Sequence, residues 1–381
     1  MTNNYNWDPY VLIKNDEVFE FWKNFLTANH SNKTLFILAK GFDPRMNSFI
    51  QAIQDILNES ASFMILDIEG DNSPYKKYTD HNWKILNELL LNKKINFTTH
   101  NLEMWQSKQN SKTRVGPYKV IDLVTDEHLA DYANIVIDIS SMPRAIYFSL
   151  ITSILNYSKD KKAGNNPVNV LINVVENPFI DENIISHDVD DNAAFIPHLG
   201  GNFMMTANLS DIEGIQPKVW IPILGEKQKA KLLKIKEFVN PEEICPILPF
   251  PSVKPRRTDD LILEYREVLF DNWLVEKENL IYASESNPFE LYRHLVKTCS
   301  RYIAALKPIG DCKIAISSLS SKLLSIGALM ATYEMYRIKE ESVGLVHVGG
   351  SRYNIDENIL NNYPKIDENL ITLWLDGEPY V

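Results

Sequence analysis

The chain is poor in cysteine. Three residues, Cys245, Cys299 and Cys312, are scattered over 381 positions. They are odd in number and lack the close pairs of a zinc site or a disulfide framework. Reduced thiols in a cytoplasm are the expectation. No apolar run approaches the ~20 residues a membrane helix needs. The opening MTNNYNWDPY has neither the basic segment nor the apolar stretch of a secretion signal. A cytoplasmic protein, neither secreted nor membrane-bound, is therefore expected. A basic excess is also missing, since the formal net charge is -11. Long nucleic acid is then a poor partner, because phosphate contacts dominate that affinity. A small phosphorylated ligand is not excluded, because a few Arg and Lys in a cleft focus positive potential against an acidic background. Walker A, GxGxxG, HExxH and GxSxG sequences are absent. His100, His294 and His347 have no partner at metal-ligand spacing, so no metal is expected and the cofactor stays open.

What is present is apolar patterning. Hydrophobic residues make up 45% and charged residues 23%, the mixture of a chain that buries a sizeable core. At this length two domains are expected. TLFILA (residues 34–39), SFMILDI (62–68), KINFTTHNL (94–102), NIVIDIS (134–140) and VNVLINVV (168–175) read as strands separated by helical stretches. Nearly unbroken apolar runs fit strands buried on both faces of a parallel sheet. Residues 1–30 read as largely helical, a helix is expected from Met46 to Leu57, and SKQNSKTRVGPYK is expected to be a loop. A second series starts at Lys218 with KVWIPIL, EICPILPF, NLIYAS, CKIAISS and SVGLVHVGG. The expected fold class is α/β, with two Rossmann-like parallel-sheet halves related by an internal duplication. The expected domains are 1–176 and 218–381. Residues 177–217 form a connector with part of it a hairpin or flap.

The duplication reads in matched turns. Each series opens with a strand that ends at a glycine, Gly41 or Gly225. Each has a late strand ending Ile-Ser-Ser, at 139–141 and 316–318, then a basic residue, Arg144 or Lys322, and a long apolar helix. In an open parallel sheet, ligands bind outside the carboxyl ends of the strands, where these turns fall. A helix beginning after a Ser-rich turn presents free backbone N–H groups and the positive end of its dipole. Ser140, Ser141 and Arg144 form one such set, and Ser317, Ser318, Ser320, Ser321 and Lys322 another. A serine at a helix start is first of all a cap, and Pro143 near a helix start is common for backbone reasons. A cation in the first turn, however, opposes the helix dipole. That misfit at two matched positions favours a ligand. GFDPR adds Gly41, Asp43 and Arg45, with a plain Asp-Pro turn as the alternative. KPRR adds Arg256 and Arg257, with a solvated loop neutralised by Asp259 and Asp260 as the alternative.

The GFDPR and ISSMPR turns, with their counterparts LGEK and ISSLSSK, resemble those of the CRISPR-associated Rossmann fold (CARF) sensor domains. Two such units in one chain are similar to the SAVED arrangement. The resemblance covers roughly residues 34–176 and 218–350. Ser-Met-Pro-Arg stands where the CARF domains carry a Gly-Gly-Thr-Lys type turn. The resemblance implies a cyclic or linear oligonucleotide second messenger bound in the cleft between the halves, in an antiviral defence system. It also implies that an effector protein or a homo-oligomer carries the output. The alternative is a nucleotide- or sugar-phosphate-processing enzyme, a transferase or phosphodiesterase, drawing its acid or base from Asp43, Asp67, Glu69 or Glu285. A scaffold without a small ligand is the third reading, and its sign would be turns closed and capped by the protein itself.

Overall fold

The computed structural model describes residues 5–68, 74–108, 111–164, 166–190, 192–203, 216–363 and 368–380. The chain divides into two compact units. One is Trp7–Ile184 with Ile355–Val381, and the other is Met1–Asn6 with Ile185–Asn354.

The first unit begins with β1 (Val11–Lys14), α1 (Asp16–Ala28), β2 (Thr34–Lys40), α2 (Ser48–Ile53), β3 (Ala61–Asp67), α3 (Lys76–Asn92) and β4 (Asn96–Asn101). It continues with β5 (Trp105–Lys108), β6 (Ser111–Arg114), α4 (Gly116–Lys119), α5 (Asp126–Leu129), β7 (Asn134–Asp138), α6 (Arg144–Ala163), β8 (Asn169–Glu176) and α7 (Pro178–Asn183). The second unit holds β9 (Ile185–Val189), β10 (Ala194–Phe195), β11 (Lys218–Ile223), α8 (Lys229–Val239), β12 (Glu243–Ile244), β13 (Ile247–Pro249) and α9 (Arg257–Arg266). After these come β14 (Ile281–Ala283), α10 (Pro288–Leu306), β15 (Lys313–Ser318), α11 (Lys322–Tyr333), β16 (Val343–His347) and β17 (Gly350–Asn354). The chain then re-enters the first unit with α12 (Glu357–Asn361) and β18 (Asn369–Asp376).

In the first unit the sheet order is β1-β18-β8-β7-β2-β3-β4. The strands β4, β3, β2, β7 and β8 run parallel, with Leu38 of β2 opposite Ile65 on one side and Asp138 on the other. In the second unit the order is β10-β16-β15-β11-β13-β14, and β11, β13, β14, β15 and β16 are parallel. Each unit thus puts its first parallel strand in the middle, the second and third to one side, and the fourth and fifth to the other. Each also adds an antiparallel strand beside the fifth: β18 or β10. This is the expected α/β architecture, and the same order in both units is what a duplication leaves.

Apolar runs explain the cores. Phe36, Leu38, Phe63, Ile65 and Val136 project from β2, β3 and β7 into a cluster with Trp22, Phe49 and Leu86 from the covering helices. The Phe36 and Phe63 rings stack at 5.0 Å, and Trp22 meets Phe49 edge-on at 5.3 Å. In the second unit Trp220 and Ala315 pack with Leu232, Ile235, Leu261 and Tyr265 from α8 and α9.

Four local expectations change. Residues 11–14 are a strand rather than helix. The helix expected from Met46 to Leu57 is one short α-helix between two 3-10 turns, Pro44–Asn47 and Gln54–Ile56. The polar stretch after β4 folds as the β5–β6 hairpin, with Trp105 opposite Arg114 and the guanidinium 4.8 Å from the indole ring centre. The domain boundaries also move. Part of the expected connector is structured in the second unit, where β9 pairs β17 and β10 pairs β16. The tail expected with the second half belongs to the first, because β18 covers the edge that β8 would otherwise expose. No helix among the described residues is long and apolar enough to cross a membrane.

Buried polar contacts fasten that tail. Trp22 Nε1 donates to Thr372 Oγ1 at 3.0 Å, and Thr372 Oγ1 donates to Asn173 Oδ1 at 2.6 Å. Trp7 Nε1 donates to the Leu375 carbonyl at 2.7 Å. Replacing Thr372 with the isosteric valine leaves the Trp22 N–H without its acceptor. Thr372→Val should therefore lower stability by about 1–3 kcal/mol. Urea unfolding followed by tryptophan fluorescence checks it, and an unchanged midpoint would refute the role given to this chain of bonds.

The three cysteines are free thiols, all buried. Burial pushes Cys245 and Cys312 up from 9.0 to about 11, and Cys299 further still. Because the folded state holds these thiols neutral, their contribution to stability is full below pH 9. It is lost as pH rises from there toward about 11. Denaturation midpoints measured across pH 8–11 should fall over that window, and should fall less once the cysteines are replaced by alanine or serine.

Candidate functional site

In each unit the strand order reverses beside the first parallel strand. In the first unit that point lies between β2 and β7, and in the second between β11 and β15. Ligands in open α/β sheets bind outside the carboxyl ends of the strands at such a reversal. The turns singled out in the sequence lie there: Gly41–Arg45 and Ser140–Arg144 in one unit, Gly225 and Ser317–Lys322 in the other.

At the first of these points most of the expected ligand groups face the protein. Asp43 Oδ1 accepts from the Arg45 amide at 3.0 Å and caps the 3-10 turn, as an Asp-Pro turn requires. The same carboxylate grips Arg45 through Nε at 3.0 Å and Nη2 at 2.8 Å, while Nη1 reaches Asp181 at 2.8 Å. The Arg45 side chain is only 2% exposed. Burial alone would favour losing its charge, but Asp181 and Asp43 outweigh that and hold its pKa well above the usual guanidinium value. The expectation that Arg45 neutralises a ligand is therefore corrected: its guanidinium is saturated by protein carboxylates, and it locks the turn after β2 to α7. Asn82 completes the lock by donating to the carbonyls of Gly41 and Asp43.

The serines here are likewise committed. Ser140 donates its amide to Asp138 Oδ1 at 2.8 Å, and its hydroxyl accepts from the Val175 amide at 2.9 Å. Ser141 Oγ donates to the Ala39 carbonyl at 2.8 Å. These contacts tie β7 to its neighbours β8 and β2. Arg144, half-buried, is the first residue of α6, behind Pro143, and no side chain caps that helix start.

The second unit repeats the geometry with different fastenings. A Cβ on Gly225 would collide with the Leu319 carbonyl oxygen and come within 2.8 Å of Ser320 Cα, so this glycine exists because the two turns touch backbone to backbone. Ser317 is buried and accepts from Trp220 Nε1 at 3.0 Å. Ser318 and Ser320 are buried, and Ser321 caps α11 by accepting from the Leu324 amide at 3.2 Å. Lys322, half-buried, opens α11 as Arg144 opens α6.

The KPRR loop splits in two. Arg256 is exposed at the start of α9. Arg257 is held by a bidentate pair with Glu226, Nη2 to Oε2 at 2.8 Å, and by Glu285. The neutralising partners are thus Glu226 and Glu285 rather than the expected Asp259 and Asp260. Burial raises the Glu226 pKa, but the Arg257 hydrogen bonds and charge overcome it and leave the carboxyl below its usual value. Asp67 pairs with Lys40 at 2.7 Å. Of the carboxylates considered for acid-base chemistry, Asp43, Asp67 and Glu285 are therefore each bound to a cation, and Glu69 lies outside the described residues. No cluster that could hold a metal ion occurs among the described residues.

Two shallow pockets lie at the opposite edges of the sheets. One of about 500 Å³ is lined by Lys236, Glu242, Glu243, Asn279 and Tyr302 in the second unit. The other, of about 590 Å³, is lined by His30, Leu57, Glu59 and Lys93 in the first. Both sit at the amino ends of strands, away from the reversal points, and the strand topology weighs more than their size. Sequence reasoning missed Asp181 and Glu226. Glu226 lies in the LGEK turn, where the sequence assigns it no partner, and Asp181 carries no motif and meets Arg45 across 136 residues of chain.

No family model matches the chain, and no curated protein matches it. Among solved structures, an NH3-dependent NAD synthetase from Campylobacter jejuni subsp. jejuni NCTC 11168, in complex with the nitrate ion, matches 84% of this chain and 93% of its own. The identity is 8% and the TM-score 0.21, too low to carry a structural or functional argument.

Arg45 is the test of the corrected assignment. Arg45→Ala leaves Asp43 buried without its counter-charge and should cost about 3–5 kcal/mol. Chemical denaturation measures this. A variant of wild-type stability would return Arg45 to the ligand-binding set.

Proposed function

We propose that the chain is a binding module for a phosphorylated small molecule of nucleotide type, seated at the reversal points of its parallel sheets. The observation that supports this most is the repeated placement of a cation at the start of a long apolar helix, Arg144 on α6 and Lys322 on α11. A basic residue there works against the helix dipole. An anion held by the terminal amides and the cation together removes that conflict. Its recurrence at equivalent strand ends, on α11 capped by Ser321 and on α6 without a side-chain cap, favours a ligand over capping alone. The commitment of Asp43, Asp67 and Glu285 to ion pairs favours binding over acid-base turnover. The resemblance of the turns to CARF and SAVED domains extends the proposal to an oligonucleotide second messenger in a defence system, with a separate effector protein as the output.

A thermal-shift screen against mono-, di- and cyclic oligonucleotides and sugar phosphates, with mass spectrometry of each hit, tests the reading. A shift with the ligand recovered unchanged is expected. Arg144→Ala and Lys322→Ala should each weaken binding about tenfold or more, the loss of one charged hydrogen bond. Both variants should still fold without ligand, with a wild-type circular dichroism spectrum. The absence of a shift with every anion would overturn the proposal and leave the scaffold reading, and a hit returned converted would establish the enzyme.

A further inference from the structure

An exposed aromatic pair lies next to the densest basic loop of the second unit. Phe250, directly after β13, is 54% exposed, and Tyr282 on the edge strand β14 is 44% exposed. The alternation of β14 turns Tyr282 outward while Ala283 is buried. The two ring centres are 6.2 Å apart, edge to face at 78°. Packing of the core does not account for either ring, since both leave large faces in solvent. The loop that follows Phe250 carries Val253, 74% exposed, and the exposed Lys254 and Arg256.

The loop is built rather than slack. The Phe250 amide donates to the Ala283 carbonyl at 2.7 Å, and the Glu285 amide to the Pro251 carbonyl at 3.0 Å. The Val253 amide donates to Glu285 Oε2 at 3.1 Å, and Thr258 Oγ1 to the Pro249 carbonyl at 2.6 Å. The Arg257 amide donates to the Lys254 carbonyl at 3.0 Å, while its guanidinium holds Glu226 and Glu285. The Arg257 ion pairs thus brace a short platform whose aromatic faces and cations lie at the carboxyl ends of two adjacent parallel strands, the edge where such sheets take ligands.

We propose that Phe250 and Tyr282 form a nucleobase seat, and that Lys254 and Arg256 take the phosphate of the same nucleotide. Stacking on aromatic side chains with basic residues along the backbone is how single-stranded nucleic acid is held without base-specific hydrogen bonds, and the same chemistry suits one nucleotide. Lys254 and Arg256 are exposed beside the two rings, while Arg257 is taken up by Glu226 and Glu285, so it is these two exposed cations that favour an anion with an aromatic head over an apolar peptide. The inference deepens the nucleotide reading by naming where the base rests, and it stands on residues other than Arg144 and Lys322.

The experiment is equilibrium binding of AMP, ribose 5-phosphate and inorganic phosphate to the full chain, by calorimetry. Wild type should bind AMP at least about tenfold more tightly than ribose 5-phosphate, the difference being the stacked base. Phe250→Ala and Tyr282→Ala should each remove most of that difference and leave ribose 5-phosphate unchanged. Arg256→Ala should weaken both. Phe250→Leu, which keeps an apolar side chain, should behave as Phe250→Ala if stacking matters. Wild-type affinity for AMP in Phe250→Ala and Tyr282→Ala overturns the seat, as does equal binding of AMP and ribose 5-phosphate. If those variants lose AMP while Arg144→Ala and Lys322→Ala keep it, the seat stands and the reversal-point reading fails. If they keep AMP while Arg144→Ala and Lys322→Ala lose it, the seat fails and the reversal points hold the ligand. No binding of AMP to wild type also overturns the seat.

Discussion

Everything in this protein is arranged around strands that cannot stand at an edge. β2 and β11 are almost wholly apolar and buried. A segment of that kind carries a backbone acceptor at every residue and a donor at every one but Pro222 of β11, and burial demands that they be paired. Parallel neighbours on both sides meet the demand, and parallel pairing forces a crossover helix between strands. The reversal of strand order beside each central strand follows from filling both of its sides. The turns that meet there are consequences of the same requirement.

Those turns show how a fold can satisfy itself at the place where ligands usually bind. Asp43 and Asp181 hold Arg45, and Glu226 and Glu285 hold Arg257. The hydroxyls of Ser140, Ser141 and Ser317, which resemble phosphate donors, bond to adjacent strands instead. At the start of each long helix stands a cation of a kind that helix energetics alone would not choose, Arg144 on α6 and Lys322 on α11.

The strand runs were legible because a buried parallel strand has a plain signature, and TLFILA or NIVIDIS can scarcely be read otherwise. The positions of the site turns followed from strand order. The roles of the residues did not. GFDPR gives no sign that an aspartate beyond β8 will claim its arginine, and nothing in LGEK announces a backbone contact with Leu319. The tail was misplaced for a related reason. LITLWLD reads as a strand, but its partner β8 lies nearly two hundred residues earlier in the chain, and pattern alone carries no address.

That placement has a consequence for how the molecule is made. Among the described residues β1 joins the sheet through β18, and β18 is translated after the whole of the second unit. The first unit to be synthesised is thus the last to be finished. β8 presents an open edge, and α1 waits for the strand that receives its tryptophan, throughout translation of the second unit. Closing so long a loop is slow, because its entropy is lost before its contacts form. In the nascent chain, the returning strand β18 acts as a keystone, set after its neighbours on either side in the sheet, β1 and β8, are already made.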